Sequence, residues 1–170
     1  MFRGDDSMPG EVLRGEDGVM EMAGVDVLLD PAFTVPAVPR AVAGVGWIRC
    51  MVPRFCEGDA HARRRALVEQ VIARIGRPRR SSSPTAALLD AMGLAPGLEP
   101  DVAVVALAYQ PHAPVPPAAD AAADRLVAAC GGRTEESAAR VCVLVQAHAA
   151  TLALIARLQA GDGEIGRAHV

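Results

Sequence analysis

Apolar residues recur at helical spacing along most of this 170-residue chain. Leu67, Val71, Ile72 and Ile75 fall on one side of a helical wheel, as expected of an amphipathic helix with a buried stripe. Asp59 stands just before this stretch and belongs to the residue types that cap the start of a helix. The pattern therefore predicts a helix from Asp59 to about Ile75.

Clusters of proline and glycine divide the rest of the chain into short segments. An Ala-rich helix is predicted over residues 118–130. Thr134 is expected to cap a long last helix that ends near Ala160. The other predicted elements are a short strand at 19–23 and helices at 24–30, 46–51, 85–92 and 101–109. The chain is therefore predicted to be mainly α, with one or two short strands near the start.

The composition indicates a globular chain with an aliphatic core. Hydrophobic residues make up 51% and aromatic residues 3%, so Leu, Val, Ile and Ala must build that core. The length is sufficient for one domain with a buried interior. All basic side chains are arginines, and the net charge of −3 gives no reason to expect nucleic-acid binding. The local exception is the segment from Arg54 to Arg80, which is rich in arginine.

The four cysteines are Cys50, Cys56, Cys130 and Cys142. They form no C-x-x-C pair, and none has a histidine at zinc-site spacing. The N-terminus is acidic and lacks the apolar run of a signal peptide. No segment is expected to be apolar over the length needed to cross a bilayer. A cytoplasmic protein with reduced thiols and no membrane contact is the resulting expectation.

Two donor groups one helical turn apart are the first candidate for chemistry. His61 and Arg65 lie four residues apart in the predicted helix, so their side chains share one face. Such a pair suits a ligand with carboxylates or phosphates, because Arg can hold a carboxylate with two parallel hydrogen bonds and His can donate another. A solvated helix face is the alternative. Arg63 and Arg64 are expected to be surface charges.

Three segments, in the order expected, resemble the bacterial cytochrome P-450 family of haem-thiolate monooxygenases. Residues 27–33 (VLLDPAF) are similar to a V-L-x-D-P-x-F stretch near the start of such proteins. His61-x-x-x-Arg65 resembles their H-x-x-x-R helix. Residues 146–151 (QAHAAT) resemble the A-G-x-[DE]-T part of the long helix that crosses the haem. The resemblance implies that residues 1–163 form the N-terminal portion of the cytochrome P-450 fold, which is incomplete here.

The resemblance implies a haem cofactor, a small organic substrate and an electron-transfer redox partner. His61 and Arg65 would bind the haem propionates, and Thr151 would assist proton delivery to the dioxygen. Two positions depart from the family pattern, because Ala150 stands in place of the acid and His148 in place of the glycine. These departures argue against ordinary oxygen activation. His148 is expected either to line the haem pocket or to pack in the interior.

The family's iron ligand is a cysteine in a Gly-rich F-x-x-G-x-x-x-C-x-G loop that follows the long helix. None of the four cysteines of this chain has that context. The chain is therefore expected to be a fragment of a haem-dependent monooxygenase, inactive by itself. Residues 164–170 (EIGRAHV) resemble a translated sequencing adapter and are expected to be non-native. An ordinary frayed end is the alternative for this tail.

Two other functions stay open from the sequence. A haem-free, degenerate relative of the family could act as a helper protein for a partner enzyme such as a glycosyltransferase. The alanine at position 150 and the short central region favour this alternative. A small helical binding module, such as a regulator, is the third candidate, but the chain has no recognisable helix-turn-helix.

Overall fold

Six α-helices make up most of the chain that this computed structural model describes, which comprises residues 12–14, 20–22, 35, 38–76, 79, 81, 83–110 and 113–165. The predicted mainly-α class is confirmed. Short 3-10 turns at Pro53–Phe55 and Pro96–Leu98 come before the second and fourth helices. The helices are α1 Gly44–Met51, α2 Gly58–Arg74, α3 Pro84–Ala91, α4 Glu99–Ala108, α5 Pro117–Ala129 and α6 Glu135–Ile165.

The chain divides into two units, Met1–Pro36 and Ala37–Val170. In the first unit, the strands β1 Val12–Arg14 and β2 Met20–Met22 pair antiparallel, with Val12 opposite Met22. All six helices belong to the second unit. The predicted helix at 24–30 and the VLLDPAF segment at 27–33 lie outside the described residues.

Helical spacing located the helices of the second unit to within a few residues. The segments predicted at 46–51, 85–92, 101–109 and 118–130 overlap α1, α3, α4 and α5. The predicted cap of α6 is confirmed, because the Ser137 amide donates to Thr134 Oγ1 at 3.1 Å. The predicted cap of α2 was wrong, because the N-cap position is Glu57. Asp59 lies in the first turn instead, where its carboxylate faces the positive end of the helix dipole.

The last helix is longer than predicted and ends at Ile165 rather than near Ala160. Over Glu135–Ala160 it is long and apolar enough to cross a membrane by length and composition. The expectation that no segment reaches this length was therefore wrong, because its Ala, Val and Leu residues outweigh its few charged ones. The N-terminal part of α6 is nevertheless buried by protein, since Val141 and Leu144 are fully covered.

The core forms where α6 packs against α4, with α5 and α1 beside them. Tyr109, which follows α4, is the largest side chain that is fully buried. Its ring lies 5.6 Å from that of Phe55, and its hydroxyl lies 3.7 Å from Cys142 Sγ. The turn Pro53–Phe55 is thereby attached to α6 through Tyr109. The aliphatic residues buried around it include Val45, Ile48, Val52, Leu89, Val102, Val105, Leu126, Val141, Leu144 and Val145.

Side chains from another helix cap the start of α1. Asp120 Oδ1 accepts from the Val45 amide at 2.9 Å, and Asp124 Oδ1 accepts from the Gly44 amide at 3.1 Å. Both carboxylates belong to α5, so amides that have no partner within α1 join the two helices. The hydrogen bond from Gly44 lowers the pKa of Asp124 below its usual value, and Arg133 adds to this effect.

Arg49 of α1 binds the end of α4. Its guanidinium donates to the carbonyl of Ala108 at 2.6 Å, to that of Tyr109 at 3.1 Å and to that of Gln110. These carbonyls have no partners within the helix, and a cation beside them faces the negative end of the helix dipole. Polar groups of α1 thus connect it to α4 as well as to α5.

Gly44→Ala is expected to lower the free energy of unfolding by about 2–4 kcal/mol. Gly44 has a φ of 64°, a left-handed conformation that a Cβ disfavours. A Cβ at this position would also collide with the Asp120 carboxylate. Urea-induced unfolding measures the loss.

Gly93→Ala is the matched control for this substitution. Gly93 has a similar φ of 69°, but nothing lies within 4 Å of the place a Cβ would take. It should therefore lose only the backbone contribution of about 1–2 kcal/mol. Equal losses in the two variants would show that the contact with Asp120 has no energetic consequence.

Candidate functional site

A groove lies between α2 and α6 and consists of two adjoining cavities. Their volumes are about 450 Å³ and about 220 Å³. Val68, Cys142 and Gln146 line both cavities, so the two share a wall. We call the pair the α2–α6 groove. Its smaller cavity is cationic and its larger cavity is apolar.

The cationic end contains the two residues that the sequence singled out. His61 and Arg65 line it together with Arg54. The first two reach the same cavity because they are one turn apart on α2, as their spacing predicted. Both are exposed, and Arg65 Nε also donates to Glu69 Oε1 at 2.8 Å. Arg54 belongs to the turn Pro53–Phe55, so helical periodicity could not relate it to this pair.

The apolar end of the groove follows the part of α2 beyond Arg65. The predicted apolar stripe of α2 is divided there, because Val71 is buried whereas 55% of Ile72 is exposed. Aliphatic side chains beside a cationic rim suit a ligand with a large apolar body and anionic groups along one edge. The apolar lining consists of Val68, Ile72 and Ile75 from α2 and its end, Leu88 from α3, and Val143 and Ala147 from α6.

Charged residues on another part of α2 fasten it to the start of α6. Arg63 donates twice to the Glu135 carboxylate, at 2.8 Å each, and Arg64 Nε donates to the same group at 3.1 Å. Arg64 also donates to the Cys50 carbonyl at 2.7 Å. Only 14% of its side chain is exposed, so the expectation that Arg64 is a surface charge was wrong. It turns inward because an acid and a carbonyl lie within its reach.

These contacts change the ionisation of Glu135. The hydrogen bond from Arg63 lowers its pKa most, Arg64 adds to the effect, and the result is a pKa of about 2 instead of the usual 4.5. Glu135 also begins α6, where a negative charge is stabilised by the helix dipole. The position of α2 along α6, and with it the groove, therefore depends in part on an ionised Glu135.

Thr151, the third residue singled out by the sequence, does not line the groove. It is half-buried and lies one turn beyond Ala147 on the same side of α6. Its neighbour Ala150 is exposed, so no carboxylate precedes the hydroxyl. The other family departure, His148, packs against α3, where its Nδ1 lies 2.8 Å from Oγ1 of the buried Thr85.

Cys142 and Gln146 also line the groove, and no binding role was predicted for either from the sequence. They are one turn apart on α6, and Gln146 Nε2 donates to Cys142 Sγ at 3.0 Å. Burial raises the pKa of the Cys142 thiol, which keeps it protonated at neutral pH. Within the described residues there is no cluster of three or more side chains that could hold a metal ion.

Comparisons with known proteins do not assign a function to the α2–α6 groove. No protein-family profile, no curated protein and no solved structure matches the chain. The shape and charge of the α2–α6 groove are therefore the main basis for a functional proposal.

Glu135→Gln is expected to destabilise the protein by about 1–2 kcal/mol at pH 7. The folded-state pKa of Glu135 lies below its unfolded value, so its ionised form stabilises the native state above pH 4.5. This contribution is lost as the pH falls from 4.5 towards about 2. Chemical unfolding of wild type and variant across this range should show the difference shrinking with acid.

Glu136→Gln is the control, because it removes the neighbouring acid from a more exposed ion pair. The Glu136 carboxylate accepts from Arg74 at 3.0 Å, and both side chains are more than half exposed. Its loss should change stability by less than about 0.5 kcal/mol. A pH-independent loss in Glu135→Gln would contradict the ionic contribution assigned to that residue.

Proposed function

We propose that the α2–α6 groove binds the edge of a haem, and that the chain is part of a cytochrome P-450-type monooxygenase. The observation that carries the proposal is the junction of an apolar cavity with a cationic one containing His61 and Arg65. Haem has a broad apolar ring with two carboxylates on one edge, so its shape and charge match this arrangement. The resemblance of the H-x-x-x-R and QAHAAT segments supports the same function.

In this proposal the two ends of the groove have separate roles. His61 and Arg65 donate hydrogen bonds to the propionates, and the Arg65 guanidinium offsets part of their negative charge. Val68, Ile72 and Leu88 provide apolar contact and keep water from the ring. When bound, haem supplies the oxidative chemistry that inserts one oxygen atom from O₂ into a small organic substrate, with electrons from a redox partner. The protein residues bind and orient the group.

The groove fits the periphery of haem and not the iron. Cys142 is the cysteine on the lining, and burial raises the pKa of its thiol. A thiolate ligand needs the opposite environment, with nearby positive charge or hydrogen-bond donors that lower the pKa. We therefore expect these 170 residues to bind haem without thiolate ligation and to be inactive in oxygen insertion.

Thr151 has a limited role in this proposal. Thr151 lies on α6 one turn past the groove, and the role of proton donor comes to it from the resemblance of the QAHAAT segment. With Ala149 and Ala150 before it, no acidic neighbour on this turn can resupply the proton. Substrate oxidation by a complete haem site of this type would therefore depend on water for its protons.

A haem-free helper protein is the second candidate, and the far half of α6 favours it. Its side chains Leu152, Leu154, Ile155 and Leu158 are exposed by 38–61%. Apolar exposure on this scale is typical of a surface that contacts another protein. A helper would copurify with a partner enzyme, such as a glycosyltransferase, and would contain no haem.

The test is a haem titration of the 170-residue chain. His61→Ala combined with Arg65→Ala should weaken haem binding at least tenfold, about 1.4 kcal/mol or more, because two donors to the propionates are lost. Arg79→Ala is the control, since Arg79 is an exposed arginine on a different cavity. The carbon-monoxide difference spectrum should lack the band of a thiolate-ligated haem.

Two results would contradict the proposed haem binding, and a third would contradict the expected iron ligation. Absence of saturable haem binding to the wild-type chain would remove its basis. Equal affinities in the double variant and in Arg79→Ala would show that the cationic end does not contact the propionates. A thiolate-type band would overturn the expectation about the iron ligand.

A further inference from the structure

A third hydrogen-bond donor of the groove, Arg54, has no assigned role. Arg54 lines the smaller cavity with His61 and Arg65, yet it comes from the turn Pro53–Phe55 rather than from α2. It therefore approaches the cavity from a separate element. A ligand anion in this cavity would have cationic donors on more than one side.

The turn fixes the backbone of Arg54. Pro53 is buried beside it, and the Cys56 amide closes the turn by donating to the Pro53 carbonyl at 3.3 Å. Phe55 packs against the fully buried Tyr109, with 5.6 Å between the ring centroids. The backbone that carries Arg54 is therefore anchored to the core on both sides.

The Arg54 side chain is also held in place by a neighbour. Its guanidinium carbon lies 5.7 Å from the centroid of the Phe55 ring, within the range of a cation–π contact. Such a contact orients the planar guanidinium while leaving its N–H groups able to donate. The contact favours this orientation of the exposed Arg54 side chain before any ligand arrives, which reduces the entropy lost on binding.

Arg54 is more available to an anion than Arg65 is. Arg65 already donates to the Glu69 carboxylate at 2.8 Å. Among the ion pairs that the described residues form, none involves Arg54. A ligand carboxylate would compete with Glu69 for the Arg65 guanidinium. Among the described residues, no carboxylate forms an ion pair with Arg54 and would compete in the same way.

We infer that Arg54 is a principal ligand-binding residue of the groove and donates to a carboxylate of the bound ligand. The inference rests on the proposed function, in which that ligand is a porphyrin with two carboxylates. It assigns Arg54 and the Pro53–Phe55 turn to the anion site in addition to His61 and Arg65. Recognition at this end depends on the carboxylates and not on the metal.

The test uses metal-free protoporphyrin IX, so that iron ligation does not enter, and follows its fluorescence on titration with the full chain. Arg54→Ala should weaken binding about tenfold, because one charge-assisted hydrogen-bonding partner is lost. Arg54→Lys should recover only part of the affinity, since an ammonium keeps the charge but not the planar fork. Arg79→Ala should bind as the wild type does.

The dimethyl ester of the same porphyrin separates binding from folding. It lacks the carboxylates, so wild type and Arg54→Ala should bind the ester equally. If the variant lost affinity equally for the acid and the ester, Arg54 would support the fold and not the ligand, which overturns the inference. Wild-type affinity of Arg54→Ala for the acid would also overturn it while leaving haem binding by His61 and Arg65 intact. No porphyrin binding by the wild type would overturn the proposed function itself, and this inference with it.

Discussion

The groove depends on how α2 is held against α6. Val71 of α2 is buried, which provides apolar contact. Apolar contact alone allows a helix to slide along its neighbour, because it has little directional preference. The Glu135 carboxylate adds direction, since it accepts hydrogen bonds from both Arg63 and Arg64. Glu135 at the start of α6 thus helps to set where His61 and Arg65 lie relative to Cys142 and the rest of the groove wall.

Charged groups do the same elsewhere in the helical unit. The carboxylates of Asp120 and Asp124 bind the start of α1, and Arg49 binds the end of α4. In each case a side chain of one helix satisfies backbone groups that another helix leaves without partners. Such hydrogen bonds fix the relative positions of two helices, because they have a preferred distance and angle. Packing of the aliphatic core, which has few aromatic rings, has little directional preference. In this Ala- and Val-rich protein, polar contacts at helix ends therefore set how the helices are positioned against one another.

The sequence predicted local features well and tertiary ones poorly. Helix positions followed from periodicity and from Pro and Gly clusters, because these act within a few residues. The common cavity of His61 and Arg65 followed from their spacing on one helix. The inward turn of Arg64 could not be predicted, since its partner Glu135 is distant in the sequence. The contribution of Arg54 depends in the same way on a turn that reaches the groove only through tertiary packing.

The two halves of α6 show why composition alone does not determine the environment of a helix. The first half is rich in Ala and Val and the second in Ala and Leu, yet Val141 and Leu144 are fully buried, whereas Leu154 and Leu158 are largely exposed. The difference arises because the core cluster includes residues of α6 only as far as Val145. Solvent-exposed leucines on this scale have a free-energy cost in water, which a ligand or a protein surface could remove. Among the described residues, the buried ones of α6 end at Val145, so in the haem proposal Thr151 is a half-buried residue between the groove and these leucines and lies beyond the core.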